Sequence, residues 1–125
     1  MEVLIVEDSV YMRAVIRTVV TKYGMTVVGE AKNGVEAIDM ALELNPDLIT
    51  VDNVLPDMLG LDILKSLQEE NLRAKKVMIS AVGDKITQSK AAKLGALAYI
   101  VKPFEPKQLT MVLDEIFSHS MRKYA

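Results

Sequence analysis

Five short apolar runs punctuate this chain, and each is followed by a segment whose apolar positions recur at helical spacing. The first run, Val3-Leu4-Ile5-Val6, ends in the acids Glu7 and Asp8. Ser9 then opens a helix with Met12, Val15, Ile16, Val19, Val20 and Tyr23 as its stripe and Gly24 as its stop. Residues 25–30 predict a second, weaker strand. Asn33-Gly34 leads from it into a helix with Ala37, Ile38, Ala41 and Leu42 on a shared face, ended by Asn45-Pro46. Between Asp47 and Asp52 lies Leu48-Ile49-Thr50-Val51, apolar at almost every position and therefore read as a strand buried on both faces. A turn-rich stretch, Asn53 to Gly60, separates it from a third helix marked by Leu61, Leu64, Leu67 and, at its far end, Leu72. Val77-Met78-Ile79-Ser80 is the fourth strand, and Asp84 caps a helix over residues 85–94 that stops at Gly95. Only Ile86, Ala91, Ala92 and Leu94 give that helix an apolar face. Leu97-Ala98-Tyr99-Ile100-Val101 is the fifth strand, ending at Lys102-Pro103. Pro106 suits the first turn of a last helix striped by Leu109, Val112, Leu113, Ile116 and Phe117.

Strand and helix signals in alternation predict an α/β fold: a doubly wound, five-stranded parallel sheet with right-handed crossovers and helices on both faces. The apolar third strand suits the centre and residues 25–30 suit an edge, but alternation alone leaves the strand order open. The 125 residues suit one domain, 1–125, with no linker-like stretch and no separate output domain. A net charge of -2, without a basic stripe, disfavours nucleic acid as a direct partner. The absence of cysteine excludes disulfides, thiolate metal sites and a cysteine nucleophile. With no apolar run near the ~20 residues of a membrane span and no basic leader, the chain reads as cytoplasmic.

Parallel strands bring their carboxyl ends to one side of the sheet, so residues far apart in sequence meet there. In this chain those ends carry Glu7 and Asp8, Asp52, Ser80 and Lys102. Each has an ordinary use: Asp opens turns, acids sit well before a helix, a buried hydroxyl bonds to backbone, and a lysine is usually solvated. Those separate uses do not account for four strand ends bearing such groups together. Two carboxylates about 4 Å apart repel by roughly 4 kcal/mol at an effective dielectric of about 20, so the cluster calls for a cation. Oxygen-only donors suit Mg²⁺, and Lys102 is placed to pair with Asp52 or with a phosphoryl group.

Glu7-Asp8, Asp52 with Pro56 and Gly60 after it, Ser80-Ala81 and Lys102-Pro103-Phe104 resemble the signature of the response-regulator receiver domain of two-component signalling, in its stand-alone, CheY-like form. The Met12-Arg13 opening and Gly29-Glu30-Ala31 with Asn33-Gly34 agree with it more weakly. The resemblance implies a flavodoxin-like sheet of order 2-1-3-4-5. It implies that Asp52 is the phosphoacceptor for a sensor histidine kinase, and that Glu7, Asp8, Asp52 and the Val54 backbone carbonyl hold Mg²⁺, with Mn²⁺ as a substitute. It further implies that Lys102 and Ser80 contact the phosphoryl group, and that Ser80 and Tyr99 form the switch. The implied partners are that kinase and a downstream protein, such as a flagellar motor switch, with chemotaxis as the setting. The implied state is a monomer, or a dimer formed on phosphorylation. Enzymatic activity is confined to self-catalysed phosphotransfer and hydrolysis of the aspartyl phosphate. The helix over residues 85–94, the strand holding Tyr99 and the last helix are expected to form the partner surface.

Some positions depart from the family's common pattern. Asn53 and Val54 follow the acceptor, and Val82 lies two residues after Ser80. The expectation is that side chains at Val54 and Val82 give no help to spontaneous dephosphorylation. An aspartyl-phosphate hydrolase wants a second Asp where Val54 stands, and a flavin carrier would not begin its phosphate loop with Glu7-Asp8. A phosphorelay intermediate and a scaffold without phosphorylation remain as alternatives. His119 is read as a surface residue, the dispersed methionines as core filling, and Met111 as an exposed contact.

Overall fold

The computed structural model describes residues 1–122, with side chains through Phe117. Among the described residues five strands alternate with five helices: β1 (Glu2–Val6), α1 (Val10–Tyr23), β2 (Thr26–Ala31), α2 (Gly34–Leu44), β3 (Leu48–Val51), α3 (Gly60–Gln68), β4 (Lys75–Ser80), α4 (Lys85–Lys93), β5 (Ala96–Val101) and α5 (Pro106–Arg122). The strands form one parallel sheet ordered β2-β1-β3-β4-β5. The expected doubly wound fold and strand order are therefore observed, with β3 central and β2 at an edge.

Alternation along β1 shows how one strand serves two cores. Val3 and Ile5 point into an apolar cluster with Ile16, Val20, Leu109 and Leu113, beneath α1 and α5. Leu4 and Val6 point the other way, to Ala37, Ala41, Ile63 and Leu64 beneath α2 and α3. The same division runs through β3, every residue of which is buried. A strand covered on both sides has no solvent face to mark with polar residues, which is why its sequence reads as a continuous apolar run.

The helix signals act through hydrogen bonds. The side-chain oxygens of Ser9, Asn33 and Asp84 accept from the backbone N–H groups of Met12, Glu36 and Thr87. Gly24 and Asn45 close α1 and α2 in the left-handed region, with φ of 107° and 40°.

Four expectations for apolar faces need correction. Helix α3 ends at Gln68, so Leu72 lies beyond it, past Asn71 at φ 52°, although its side chain still packs on the core. Leu42 is 42% exposed, because one residue beyond Ala41 is a turn of about 100° away from the buried side. Ile86 is 68% exposed, about 140° around an ideal helix from Ala91, the one α4 residue buried against the sheet, and Ala92, about 100° from Ala91, is exposed as well. Met111 is exposed, as expected, while His119 lies outside the described side chains.

Candidate functional site

At the carboxyl edge the sheet ladder continues one residue past three of its strands. The Glu7 N–H donates to Ala31 O at 2.9 Å, Asp52 N–H to Val6 O at 3.0 Å, and Lys102 N–H to Ser80 O at 2.9 Å. Backbone hydrogen bonds to the sheet thus fix the origins of these three charged side chains before any side-chain contact is made. Their tips then meet. Lys102 Nζ lies 2.5 Å from Glu7 Oε1 and 3.3 Å from Asp52 Oδ2. One oxygen each from Glu7, Asp8 and Asp52 lies within 4.8 Å of the others.

The expected Lys102–Asp52 pair is present, but the shorter contact is to Glu7, which the sequence reading did not anticipate. Glu7 is 1% exposed and Asp52 7%, whereas Asp8 faces solvent. Burial pushes the Glu7 carboxyl above its ordinary value of 4.5, and the hydrogen bonds from Lys102 and the Ser9 N–H do not fully offset it. Burial also opposes the Lys102 ammonium, but Glu7 and Asp52 outweigh it and raise the pKa, so Lys102 is charged. Three carboxylates facing one ammonium leave the pocket net negative and open to water at Asp8. That all-oxygen, partly solvated donor set fits a hard dication that retains some of its waters.

Ser80 and Tyr99 both bond to the backbone of Val82, one at its N–H and the other at its carbonyl. Ser80 is fully buried, and its Oγ accepts from the Val82 N–H at 3.1 Å. The hydroxyl of half-buried Tyr99 donates to the Val82 carbonyl. Burial raises the Tyr99 pKa despite an opposing hydrogen bond with Ser80, so the hydroxyl remains a donor. Val54 is 54% exposed, and its N–H lies 3.4 Å from Asp52 Oδ1.

The loop after Asp52 is folded tightly against it. Gly60 N–H donates to Asn53 O at 2.7 Å, and Asn53 Oδ1 accepts from Leu61 N–H at 3.2 Å. A Cβ on Gly60 would stand 2.4 Å from the Asp52 carbonyl oxygen, so this close approach admits only glycine. Asp57 reaches across to α2, where its carboxylate accepts from Gly34 N–H at 2.7 Å and Val35 N–H at 3.0 Å. These backbone donors, Gly34 first, hold its pKa below the ordinary value. A Cβ on Gly34 would come within 2.2 Å of Met58, so the two loops interlock.

Asp57 and Arg13 were missed as contributors to the site's frame. A sequence signal existed for Asp57, an acid following Pro56 in a turn, but its partner is an N-terminus 22 residues earlier that only the fold brings near. Arg13 donates to the Glu7 and Asp8 carbonyls, and nothing in its spacing announces that.

Residues 3–114 match the family model of the response regulator receiver domain. The chain belongs to this family. Among similar receivers is the chemotaxis protein CheY of Thermotoga maritima, 40% identical over 114 residues that span 91% of this chain and 95% of that one. CheY of Bacillus subtilis is 35% identical over 113 residues, spanning 90% and 94%. Among solved structures, a CheX–CheY complex with BeF₃ and Mg²⁺ from Borrelia burgdorferi matches with a TM-score of 0.89 and 29% identity, covering 94% of this chain and 89% of that one. The protein is a phosphoacceptor response regulator, a signalling protein. Receivers bind Mg²⁺ at an acidic site, and this receiver has the acidic cluster such a site requires.

Proposed function

We propose that this receiver accepts a phosphoryl group on Asp52 from the phosphohistidine of a sensor histidine kinase and signals the change to a protein partner in chemotaxis. The observation that carries this reading is the placement of Asp52: a buried carboxylate ending the central strand, between the Glu7–Asp8 acids and the Lys102 ammonium. An Asp52 oxygen attacks phosphorus while the phosphorus–nitrogen bond to the donor imidazole breaks, leaving an acyl phosphate and a histidine. Glu7, Asp8, Asp52 and the Val54 carbonyl would hold Mg²⁺, which supplies charge neutralisation for the phosphoryl oxygens. Lys102 is already poised over Asp52 and offers a second cation to the new anion.

Ser80 and Tyr99 form the reporting pair. In this structure both bond to the Val82 backbone, Ser80 at its N–H and Tyr99 at its carbonyl, so moving the Ser80 hydroxyl toward a phosphoryl oxygen gives up its bond with the Val82 N–H and disturbs the residue that Tyr99 holds. Such differential contacts are what a two-state switch requires. The side chains of Val54 and Val82 have no group that could orient water, which supports hydrolysis unassisted from those positions.

A protein phosphodonor is supported by the exposed Val10, Tyr11, Val35 and Ile86, which lie in the first turns of α1, α2 and α4 around the rim. Exposed Leu97, Val101 and Met111 on β5 and α5 support a second apolar contact, for the downstream target. The net charge of -2 speaks against direct nucleic-acid binding. Among the described residues no helix is long and apolar enough to cross a membrane. The CheY relatives, which are chemotaxis proteins, support chemotaxis as the setting.

The reading is tested by intact mass after incubation with Mg²⁺ and acetyl phosphate. A single phosphoryl adduct is expected, dependent on metal and absent from Asp52→Asn. An adduct that survives the substitution would remove Asp52 from the mechanism.

A further inference from the structure

We propose that Arg13 is a positioning residue for the metal-holding acids, acting through the backbone of Glu7 and Asp8, with Glu30 as its anchor. This rests on the Mg²⁺ reading of the acidic cluster. Strand β1 ends at Val6 and α1 begins at Val10, so three residues make the turn between them. The Glu7 N–H makes a last rung to Ala31, and the helical ladder resumes where Arg13 N–H donates to Ser9 O. Between those points the Glu7 and Asp8 carbonyls have lost the strand partner and not yet gained a helical one. Arg13 Nη1 occupies that gap, 2.7 Å from Glu7 O and 3.2 Å from Asp8 O.

The arginine is itself fixed. Its Nε lies 3.3 Å from Glu30 Oε1, while Arg17 takes the other oxygen through Nε at 2.8 Å and Nη2 at 2.5 Å. Glu30 sits on β2 in register with Ile5, so the anchor belongs to the sheet and not to a loop. The Arg13 side chain is 13% exposed against 50% for Arg17, which touches the same glutamate from outside.

The acid that needs this help is Asp8. Glu7 is held by Lys102 and the Ser9 N–H. Among the described residues no hydrogen bond or ion pair holds the exposed Asp8 carboxylate, so its place in the cluster is set by its backbone alone. Arg13 is the group that grips that backbone from the side chain of another element.

Charge and position predict opposite signs, which makes the role testable. A guanidinium near a cation site disfavours the cation by Coulomb repulsion, so deleting it should tighten Mg²⁺ binding if charge were its contribution. If position is its contribution, deleting it loosens binding, as losses of groups that orient ligands do.

The experiment is an amide chemical-shift titration of the full chain with Mg²⁺ alone. Arg13→Ala is expected to weaken Mg²⁺ about tenfold. Arg13→Lys should fall between it and wild type, because an ammonium reaches one carbonyl but cannot also hold Glu30. Arg17→Ala should leave the affinity unchanged. In acetyl phosphate reactions, Arg13→Ala should raise the Mg²⁺ concentration for half-maximal rate while the rate at saturating Mg²⁺ is preserved. Equal or tighter Mg²⁺ binding by a folded Arg13→Ala overturns the proposal. If that variant does not fold, wild-type affinity in Arg13→Lys overturns it equally. A wild-type chain whose Glu7, Asp8 and Asp52 amides ignore Mg²⁺ overturns the metal reading itself, a separate result.

Discussion

Helices α3 and α4 are each nine residues long and lie on the same side of the sheet, yet they are held in opposite ways. Helix α3 buries Ile63, Leu64 and Leu67 completely or nearly so, and its first residue, Gly60, is pressed against the backbone of Asp52. Each such side chain contributes about 1.5–3 kcal/mol on burial, so α3 is fastened by several kcal/mol of apolar contact. Helix α4 buries Ala91 alone, one methyl group worth about 0.8 kcal/mol on the same scale. Its other attachments are local or exposed: the Asp84 carboxylate on Thr87, Gln88 on the Gly83 carbonyl, and Gln68 on the Lys93 carbonyl. The element next to the acceptor is firmly fastened by apolar burial, and the element downstream of Ser80 is only thinly fastened. A receiver needs both, because the site must keep its geometry while the surface that partners read has a second arrangement available.

Breaking the firmly fastened side should have the largest effect. Leu64→Ala is expected to cost about 2–5 kcal/mol in urea unfolding, while Ala91→Gly costs about 1–2 kcal/mol, half of it helix propensity. Equal losses would show that α4 is fastened as firmly as α3. A smaller effect is expected in hydrogen exchange with Mg²⁺ and beryllofluoride. Protection over residues 84–99 should change while that of α3 does not, and identical exchange over 84–99 would sink the proposed switch surface.

The smallest effect concerns pH. Hydrogen bonds from the Thr87 hydroxyl and N–H hold Asp84 below its ordinary value of 3.8. A depressed carboxyl contributes stability that is fully present above its unfolded pKa and lost as pH falls through the folded one. Acidification through and below 3.8 should therefore loosen α4, seen as faster exchange of its first-turn amides, and Asp84→Asn should lack the added acid response. An identical response in the variant would place the acid sensitivity elsewhere.

Much of this was readable from residue order. Strand-end chemistry was legible because parallel strands all finish on one side, so Glu7, Asp8, Asp52, Ser80 and Lys102 share one rim, and the order β1-β3-β4-β5 then brings them together. The thin face of α4 was legible as well, although Ile86 and Ala92 were assigned to it wrongly: in a short helix, apolar character alone does not tell which way a side chain points. The choice of Glu7 as the nearer partner of Lys102 was not legible, since Glu7 and Asp52 both lie within its reach and differ only by where β1, β3 and β5 place their ends.

The sequence by itself determined the elements, their alternation, the caps at Ser9, Asn33 and Asp84, and the family. These are local signals, decided by propensity and by the periods of helix and strand. Tertiary structure alone decided that Asp57 caps α2, that Arg13 grips the acid loop against Glu30, and that Ser80 and Tyr99 both hold the backbone of Val82. Each is a contact between elements, set by the register and twist of the sheet, for which a one-dimensional pattern carries no distance.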